Sequence, residues 1–394
     1  MSQQQDICII GGGMVGLALA KSLSKSDAFT ISVIEGSKPQ LDWQADDYAL
    51  RVSAINRNSE LLLKSIDVWH HINANSTSPY TDMHVWDAGG SGRISMSCLE
   101  VGETELGYII ENRAIQKALY EGCDSDHNIN LMSGIKVKDI KGEPGNWEVV
   151  LENDKIVQAK LIIGADGANS WLRKTLDFEL DVKPYNQNAI VGVIETEIDH
   201  QQTAWQRFLK TGPLAFLPLK NSHQCSIVWS CETDRANQLI NLDSSEFCYE
   251  LEQAIDHKFG KLKLLSKKVQ FPLIERHAKS YYKPGVVLVG DAAHTIHPLA
   301  GQGVNLGFKD VGILSQELVK AKKSGRLIEH TSTLQAYEQK RRLDNQMTIY
   351  GMKFFKECFS NDYKPLNLVR NLGLSATDSF KPLKKRFIYQ AMGI

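Results

Sequence analysis

The segment Ile7-Cys8-Ile9-Ile10-Gly11-Gly12-Gly13-Met14-Val15-Gly16 constrains this chain more than any other. An apolar run ends at once in G-x-G-x-x-G, an apolar helix follows to about Ser24, and Thr30–Glu35 reads as a second strand. This is one βαβ unit. Gly11 permits the tight turn, Gly13 lets a pyrophosphate approach the backbone, and Gly16 allows close helix–strand contact. The helix N-terminus adds N–H groups and partial positive charge for the phosphates. Glu35 stands nineteen residues beyond Gly16, where it can accept from both hydroxyls of an adenosine ribose. The spacing predicts a dinucleotide site without separating NAD from FAD.

Two further glycine turns favour a flavin. Gly164-Ala165-Asp166-Gly167-Ala168-Asn169-Ser170 follows the buried-type strand Leu161–Ile163 and precedes Arg173. Gly290-Asp291-Ala292-Ala293-His294 follows Val286–Val289 and leads to Pro298, Gly301-Gln302-Gly303, Asn305, Gly307 and Asp310. Each Asp stands just past a buried strand, where open α/β sheets bind ligands. A carboxylate there can accept from ribityl or ribose hydroxyls. Gly301 to Gly307 places a flexible backbone ahead of a helix whose N-terminus suits the N1–C2=O edge of a flavin.

Between these turns the pattern changes. Residues 112–122 read as a helix and 130–163 as three short β-type runs. Asn188–Ile198, Thr203–Leu219 and Ser226–Ser230 predict an antiparallel sheet over about 180–275. Leu343, Met347, Tyr350, Phe354 and Phe355 fall at helical spacing. The expected fold is α/β. A Rossmann-like FAD-binding domain (1–72 with 100–178 and 276–342) is interleaved with a mostly antiparallel β substrate domain (73–99 with 179–275). C-terminal helices (343–394) complete a length of 394 residues, which suits about two domains.

Composition narrows the function classes. Hydrophobic residues at 42% and charged residues at 23% exclude a disordered or collagen-like chain. Lys+Arg at 45 against Asp+Glu at 46 leaves a net charge of −1, so no global basic field attracts nucleic acid. Seven cysteines without a CxxC argue against a disulfide framework or zinc knuckle and point to reduced thiols in a cytoplasmic protein. The N-terminus lacks a basic n-region and a cleavage site. No run approaches the roughly 18 apolar residues of a membrane span.

The three motifs GxGxxG…E, GADGxxSxxR and GDAAHxxxPxxGQGxNxGxxD, in this order, resemble the class A FAD-dependent aromatic hydroxylases, which share the p-hydroxybenzoate hydroxylase fold. Arg51-Val52-Ser53-Ala54, Gly107–Asn112, Gln206-Arg207-Phe208, Gly212–Leu219, Ser226–Ser230 and the terminal Ala391-Met392-Gly393 are similar to one branch, the bacterial ubiquinone-biosynthesis hydroxylases. Segment 65–100 matches poorly. The resemblance implies an FAD-dependent NAD(P)H monooxygenase hydroxylating a polyprenyl phenol through a flavin C4a-hydroperoxide. The flavin carries the chemistry, so no catalytic side chain is assigned. NAD(P)H would bind transiently, since no second GxGxxG stands in the chain.

Residue by residue, the resemblance assigns the FAD pyrophosphate to Gly11, Gly13 and Gly16, and the ribose to Glu35. Arg51 and Arg113 would contact the flavin side or the phosphates. Asp166 would serve FAD and NAD(P)H use, and Asp291 the ribityl or pyrophosphate region. The backbone of Gly301, Gln302, Gly303, Val304 and Asn305 would face the isoalloxazine. Phe216, Pro218 and Pro298 are candidates for the substrate wall. His294 and His297 have H-x-x-H spacing in a loop without further acidic ligands, so no metal site is expected. Trp205 and Trp229 read as core, and Cys225 and Cys231 as strand cysteines.

Charge is not evenly spread. From Tyr337 onward there are 11 Lys/Arg against 5 Asp/Glu, and Lys384-Lys385-Arg386 stands beside Phe387-Ile388. A solvated face is one reading. The other is peripheral docking on anionic lipid at the inner face of a membrane, or on a biosynthetic assembly. Competing functions are a hydroxylase of a small soluble aromatic, a halogenase or prenyl reductase on the same scaffold, and a non-catalytic FAD-binding scaffold. The halogenase W-x-W-x-I-P pattern is absent.

Overall fold

A computed structural model describes residues 4–44, 47–90, 92–295, 303–360 and 380–394, with side chains through 348 and from 380. Among the described residues the strands form three sheets. The first has a parallel centre in the order β8 (Ile129–Ser133), β2 (Ile31–Glu35), β1 (Gln5–Ile10), β11 (Ile156–Gly164) and β19 (Val286–Leu288). Ile7 lies opposite both Ile31 and Leu161, and Ile163 opposite Val287. Ile7, Ile9, Leu161 and Val287 are fully buried, as expected of parallel strands covered on both faces. β9 (Val137–Glu143), β10 (Asn146–Leu151) and β18 (Tyr282–Lys283) extend the sheet antiparallel.

Helices cover this sheet. α1 (Met14–Ser24) has an Ala/Leu-rich sequence with small residues along its length. It packs against α3 (Asn112–Asp124) and α7 (Gly303–Lys323). α3 buries Ala114, Ile115, Ala118, Leu119 and Cys123, one stripe of a 3.6-residue repeat. α8 (Thr331–Ser360) then lies along α7.

The second sheet runs β20 (His294–Thr295), β17 (Val269–Ala278), β12 (Leu180–Thr196), β15 (Gln224–Glu232), β14 (Gly212–Pro218), β13 (Thr203–Leu209), β5 (Asp82–Asp87) and β6 (Arg93–Ser97). Its pairings are antiparallel except β13 with β5. β16 (Leu262–Leu264) adds to β12. β17 and β20 continue this sheet past residue 276, so the chain re-enters the first sheet only at β18 and β19. One face is covered by α5 (Thr233–Asn241) and α6 (Ser244–Ala254), which the β-type reading of 180–275 did not anticipate. Asp243 and Glu246 form a capping box that starts α6.

A third, small sheet joins β3 (Val52–Asn56), β7 (Gly107–Glu111) and β4 (Thr77–Tyr80) between the other two. Before β7, α2 (Arg57–Ser65) starts at Asn56, whose side chain accepts from Ser59 N–H. α4 (Trp171–Thr175) follows the second glycine turn. The final helix, α9 (Lys381–Met392), packs on β6 and on the turn Cys98–Val101.

Candidate active site

Four neighbouring strand ends carry the site. In the order β2, β1, β11, β19 they deliver Glu35, the Gly11–Gly16 turn, Asp166 and Gly290-Asp291. Backbone bonds hold the exits together. Gly11 N–H donates to Ile34 O at 2.8 Å, Ala165 N–H to Ile10 O at 2.7 Å, and Val289 N–H to Gly164 O at 2.9 Å. Turns more than a hundred residues apart thus meet because their strands are adjacent.

Packing demands glycine at two of the first three motif positions but not at the third. Gly11 has φ +111°, and a Cβ there would lie 2.4 Å from the Ala165 backbone. At Gly16 a Cβ would lie 2.0 Å from Gly11 O. At Gly13 a Cβ meets nothing within 4 Å, and φ is an ordinary −75°. Protein packing does not explain glycine at 13, whereas a ligand approaching the backbone does. Gly12 N–H donates to Glu35 Oε2 at 2.7 Å, and Ser37 N–H to Oε1 at 2.9 Å, which fixes the carboxylate at the turn. Val15 fits into the third motif: a Cβ on Gly307 would lie 2.5 Å from Val15 Cγ2.

The second motif presents an unmatched acceptor. Asp166 Oδ2 accepts from Leu172 N–H at 3.0 Å. Its Oδ1 is buried without a hydrogen-bond partner among the described residues. Such an atom costs about 1–3 kcal/mol unless a donor meets it. Arg173, only 3% exposed, donates to Ala168 O and Ala292 O at 2.8 Å each. Desolvation lowers the pKa of its guanidinium. Arg173 therefore joins the second turn to the third, a role its spacing in GADGxxSxxR did not reveal.

Asp291 is exposed to water, yet protein surrounds it closely enough for desolvation to push its carboxyl up. Asp310 pushes the same way, while His294, Arg276 and Arg51 pull against it. Arg51 is exposed, with its guanidinium 5.7 Å from the Phe271 ring centroid.

The third turn rests on a buried polar network. Asp310, fully buried, accepts from Gly290 N–H at 2.8 Å, His294 Nε2–H at 2.6 Å and Arg341 Nε–H at 2.6 Å. Burial alone would raise this carboxyl, but His294 and Arg341 outweigh it and hold it low. Arg341 also bonds Asp344 and, at 2.7 Å, Asn345 Oδ1. Asn345 reaches Tyr281 OH at 3.1 Å, which lies 2.6 Å from His277 Nε2. His294 is thus committed to Asp310, and His297 lies outside the described residues. Asn305 binds β3 and α2: its Nδ2–H donates to Ala54 O at 2.7 Å, and its Oδ1 accepts from Asn56 N–H at 3.2 Å and Ser59 Oγ–H at 2.7 Å. Gly303 and Val304 are half-buried at the same helix start, and a Cβ on Gly303 meets nothing within 4 Å.

Arg113 is engaged by Glu111 at 2.8 Å and Asp47 at 3.0 Å, and its guanidinium lies 4.6 Å from the Trp43 centroid. Phe216 requires a correction. It is fully buried and stacks on Phe259 with centroids 5.0 Å apart, in the cluster beneath α5 and α6. Strand alternation puts Pro218 on that same face and turns Ala215 and Leu217 toward β3. Phe216 is therefore a core residue under α5 and α6, not an accessible wall residue. Pro298, Gly301 and Gln302 lie outside the described residues.

The open edge at Gly13, the orphan Asp166 oxygen and the exposed Asp291 fit an extended dinucleotide, with its pyrophosphate at the first and hydroxyls at the others. Fold and site together define a flavin-type dinucleotide-binding protein with an added β sheet. The chain belongs to the FAD binding domain family, whose profile matches residues 4–349, and its cofactor is FAD. It is 36% identical over 396 residues to the 3-demethoxyubiquinol 3-hydroxylase of Escherichia coli K12, covering 100% of both chains. It is 32% identical to the human ubiquinone biosynthesis monooxygenase COQ6, over 97% of this chain and 91% of that one. The fold matches p-nitrophenol 4-monooxygenase PnpA of Pseudomonas putida with TM-score 0.79 at 15% identity, covering 100% and 99% of the two chains.

Proposed function

We propose that the chain is an FAD-dependent monooxygenase that hydroxylates the aromatic ring of a polyprenyl phenol in ubiquinone biosynthesis, with NAD(P)H and O₂ as co-substrates. The carrying observation is the full-length similarity to the Escherichia coli 3-demethoxyubiquinol 3-hydroxylase. When bound, FAD supplies the redox chemistry: two electrons come from NAD(P)H, one oxygen atom of O₂ enters the ring and the other leaves as water. The chain's own residues bind, orient and exclude water. Gly11, Gly13 and Gly16 admit the pyrophosphate to the N-terminus of α1, and Glu35 accepts from the adenosine ribose. Asp166 and Asp291 offer acceptors to sugar-chain hydroxyls. Arg51 adds positive charge nearby, and Arg113 steadies the loop after β2. The start of α7, Gly303 to Asn305, would border the ring system.

The test is direct. The FAD-loaded protein is given a prenylated phenol and NAD(P)H under ¹⁸O₂. We expect a ring-hydroxylated product carrying one labelled oxygen. Oxidation of NAD(P)H with no labelled product across a series of ring-substituted prenyl phenols would refute the reading.

We also infer peripheral contact with a bilayer through α9. No helix among the described residues is long and apolar enough to cross a membrane. Residues 380–394 hold four cations and no acid. Leu383 and Phe387, four residues apart on α9, are exposed on one side of it, and Phe380 and Ile394 are exposed beyond its two ends. Deleting 381–394 should weaken sedimentation with anionic vesicles, and unchanged sedimentation would sink this part.

A further inference from the structure

Beneath α9 lies an apolar cluster that the FAD site leaves unused. It contains Ala54, Tyr80, Ala215 and Leu217 from the sheets and Ile388 and Met392 from α9. It therefore runs from β3 to the C-terminal helix as one set of packed side chains. Its inner end touches the cofactor side of the molecule, because Asn305 at the start of α7 holds the Ala54 carbonyl. Its outer end is tied to the same point. Gly393 closes on Asn56 so tightly that a Cβ would lie 2.6 Å from Asn56 Nδ2, and Asn56 N–H donates to Asn305 Oδ1.

Between α9 and the body this cluster leaves an apolar cavity of only about 10 Å³, lined by Tyr80, Met83, Met96, Leu106, Ile388, Ala391 and Met392. Three of these are methionines, unbranched side chains that re-pack readily around a guest. The helix covering it has a narrow footing. Its buried residues are Lys384, Ile388 and Met392, spaced i, i+4, i+8, and Lys384 is held by Glu100 at 3.0 Å. One flank of the helix carries the exposed Leu383 and Phe387, and Phe380 is exposed just before its start.

We propose that this seam is the subsite for the polyprenyl tail of the substrate. With the ring beside Ala54, the tail runs between the β3 face and the inner side of α9. It leaves where the outer side of α9 meets lipid, re-packing Met83, Met96 and Met392 along its course. The face of β14 that serves it is Ala215 and Leu217. The inference rests on the polyprenyl-phenol reading above.

The experiment pairs two measurements. First, wild-type protein and Ala391→Phe, whose ring overfills the cavity from the helix side and obstructs the seam, are assayed with phenols differing only in tail length. The loss of two buried methylenes predicts a KM for the tailed phenol raised at least about tenfold. FAD content and kcat/KM for the tail-less phenol stay at the wild-type value. Equal effects on both phenols, or none on either, overturn the subsite. Second, wild-type protein is photolabelled with a prenyl phenol bearing a diazirine mid-tail. Label is expected on 80–106 and 388–392, and label confined to other surfaces overturns the subsite even where Ala391→Phe misfolds. Wild-type protein that turns over neither phenol refutes the functional reading instead, and the label still decides the subsite.

Discussion

Gly13→Ala separates cofactor recognition from folding. Its Cβ meets nothing within 4 Å in the folded chain, and φ −75° suits alanine. Alanine is a poorer helix N-cap than glycine, but it restricts the unfolded chain, and the two effects oppose each other at about 1 kcal/mol or less. The apoprotein should therefore melt within experimental reach of wild type. FAD binding should not survive so well. A methyl on this edge holds the pyrophosphate off the N–H groups of α1 and weakens at least one charge-assisted hydrogen bond, worth about 1.5–3 kcal/mol. That corresponds to a rise in Kd of roughly 10- to 150-fold. Gly16→Ala is the counter-case. Its Cβ would lie 2.0 Å from Gly11 O, so backbone must move, and overpacking of about 1–3 kcal/mol or more lowers the apoprotein melt itself. The assay is a thermal melt of both apoproteins beside a fluorescence titration with FAD. Wild-type FAD affinity in Gly13→Ala refutes the reasoning, as does an apoprotein that melts as low as Gly16→Ala.

Two predictions concern the network behind the third turn. Asp310→Asn removes a buried charge that accepts three hydrogen bonds and leaves Arg341 buried beside it, so urea unfolding should report a loss of about 3–5 kcal/mol. A loss under about 1 kcal/mol would refute its structural role. His277 sets a pH window. Desolvation, helped by His294 and Arg342, lowers its pKa from the ordinary 6.5 to about 4. Between those values the unfolded chain binds the proton that the folded chain refuses, so stability falls as pH drops from 6.5 to about 4. His277→Gln should flatten the melting temperature across that window, and an unchanged slope would count against the assignment.

What the sequence made legible follows from how tightly each element is constrained. A parallel strand buried on both faces needs a continuous apolar run, and its exit beside a helix needs glycine. β1, β11 and β19 therefore declared themselves together with Gly11, Asp166 and Asp291. α5 and α6 were missed, although Asp243 and Glu246 write a capping box at the start of α6. The surrounding β alternation outweighed that local signal. The pairing of Asp310 with Arg341 spans 31 residues and two helices, so only packing could reveal it.

The misplacement of Phe216 has a different cause. Side-chain alternation shows which face of a strand is buried only when the other face is polar. In β14, Gly-Pro-Leu-Ala-Phe-Leu-Pro is apolar throughout. Leu214 and Phe216 enter the cluster under α5 and α6, while Ala215 and Leu217 enter the one shared with β3 and α9. A two-faced apolar strand is what a sheet needs when it is covered on one side by its own helices and turned on the other toward an apolar ligand. The sequence feature that concealed which side was which is therefore itself a sign that β14 has two apolar neighbours, α5 and α6 on one face and β3 with α9 on the other.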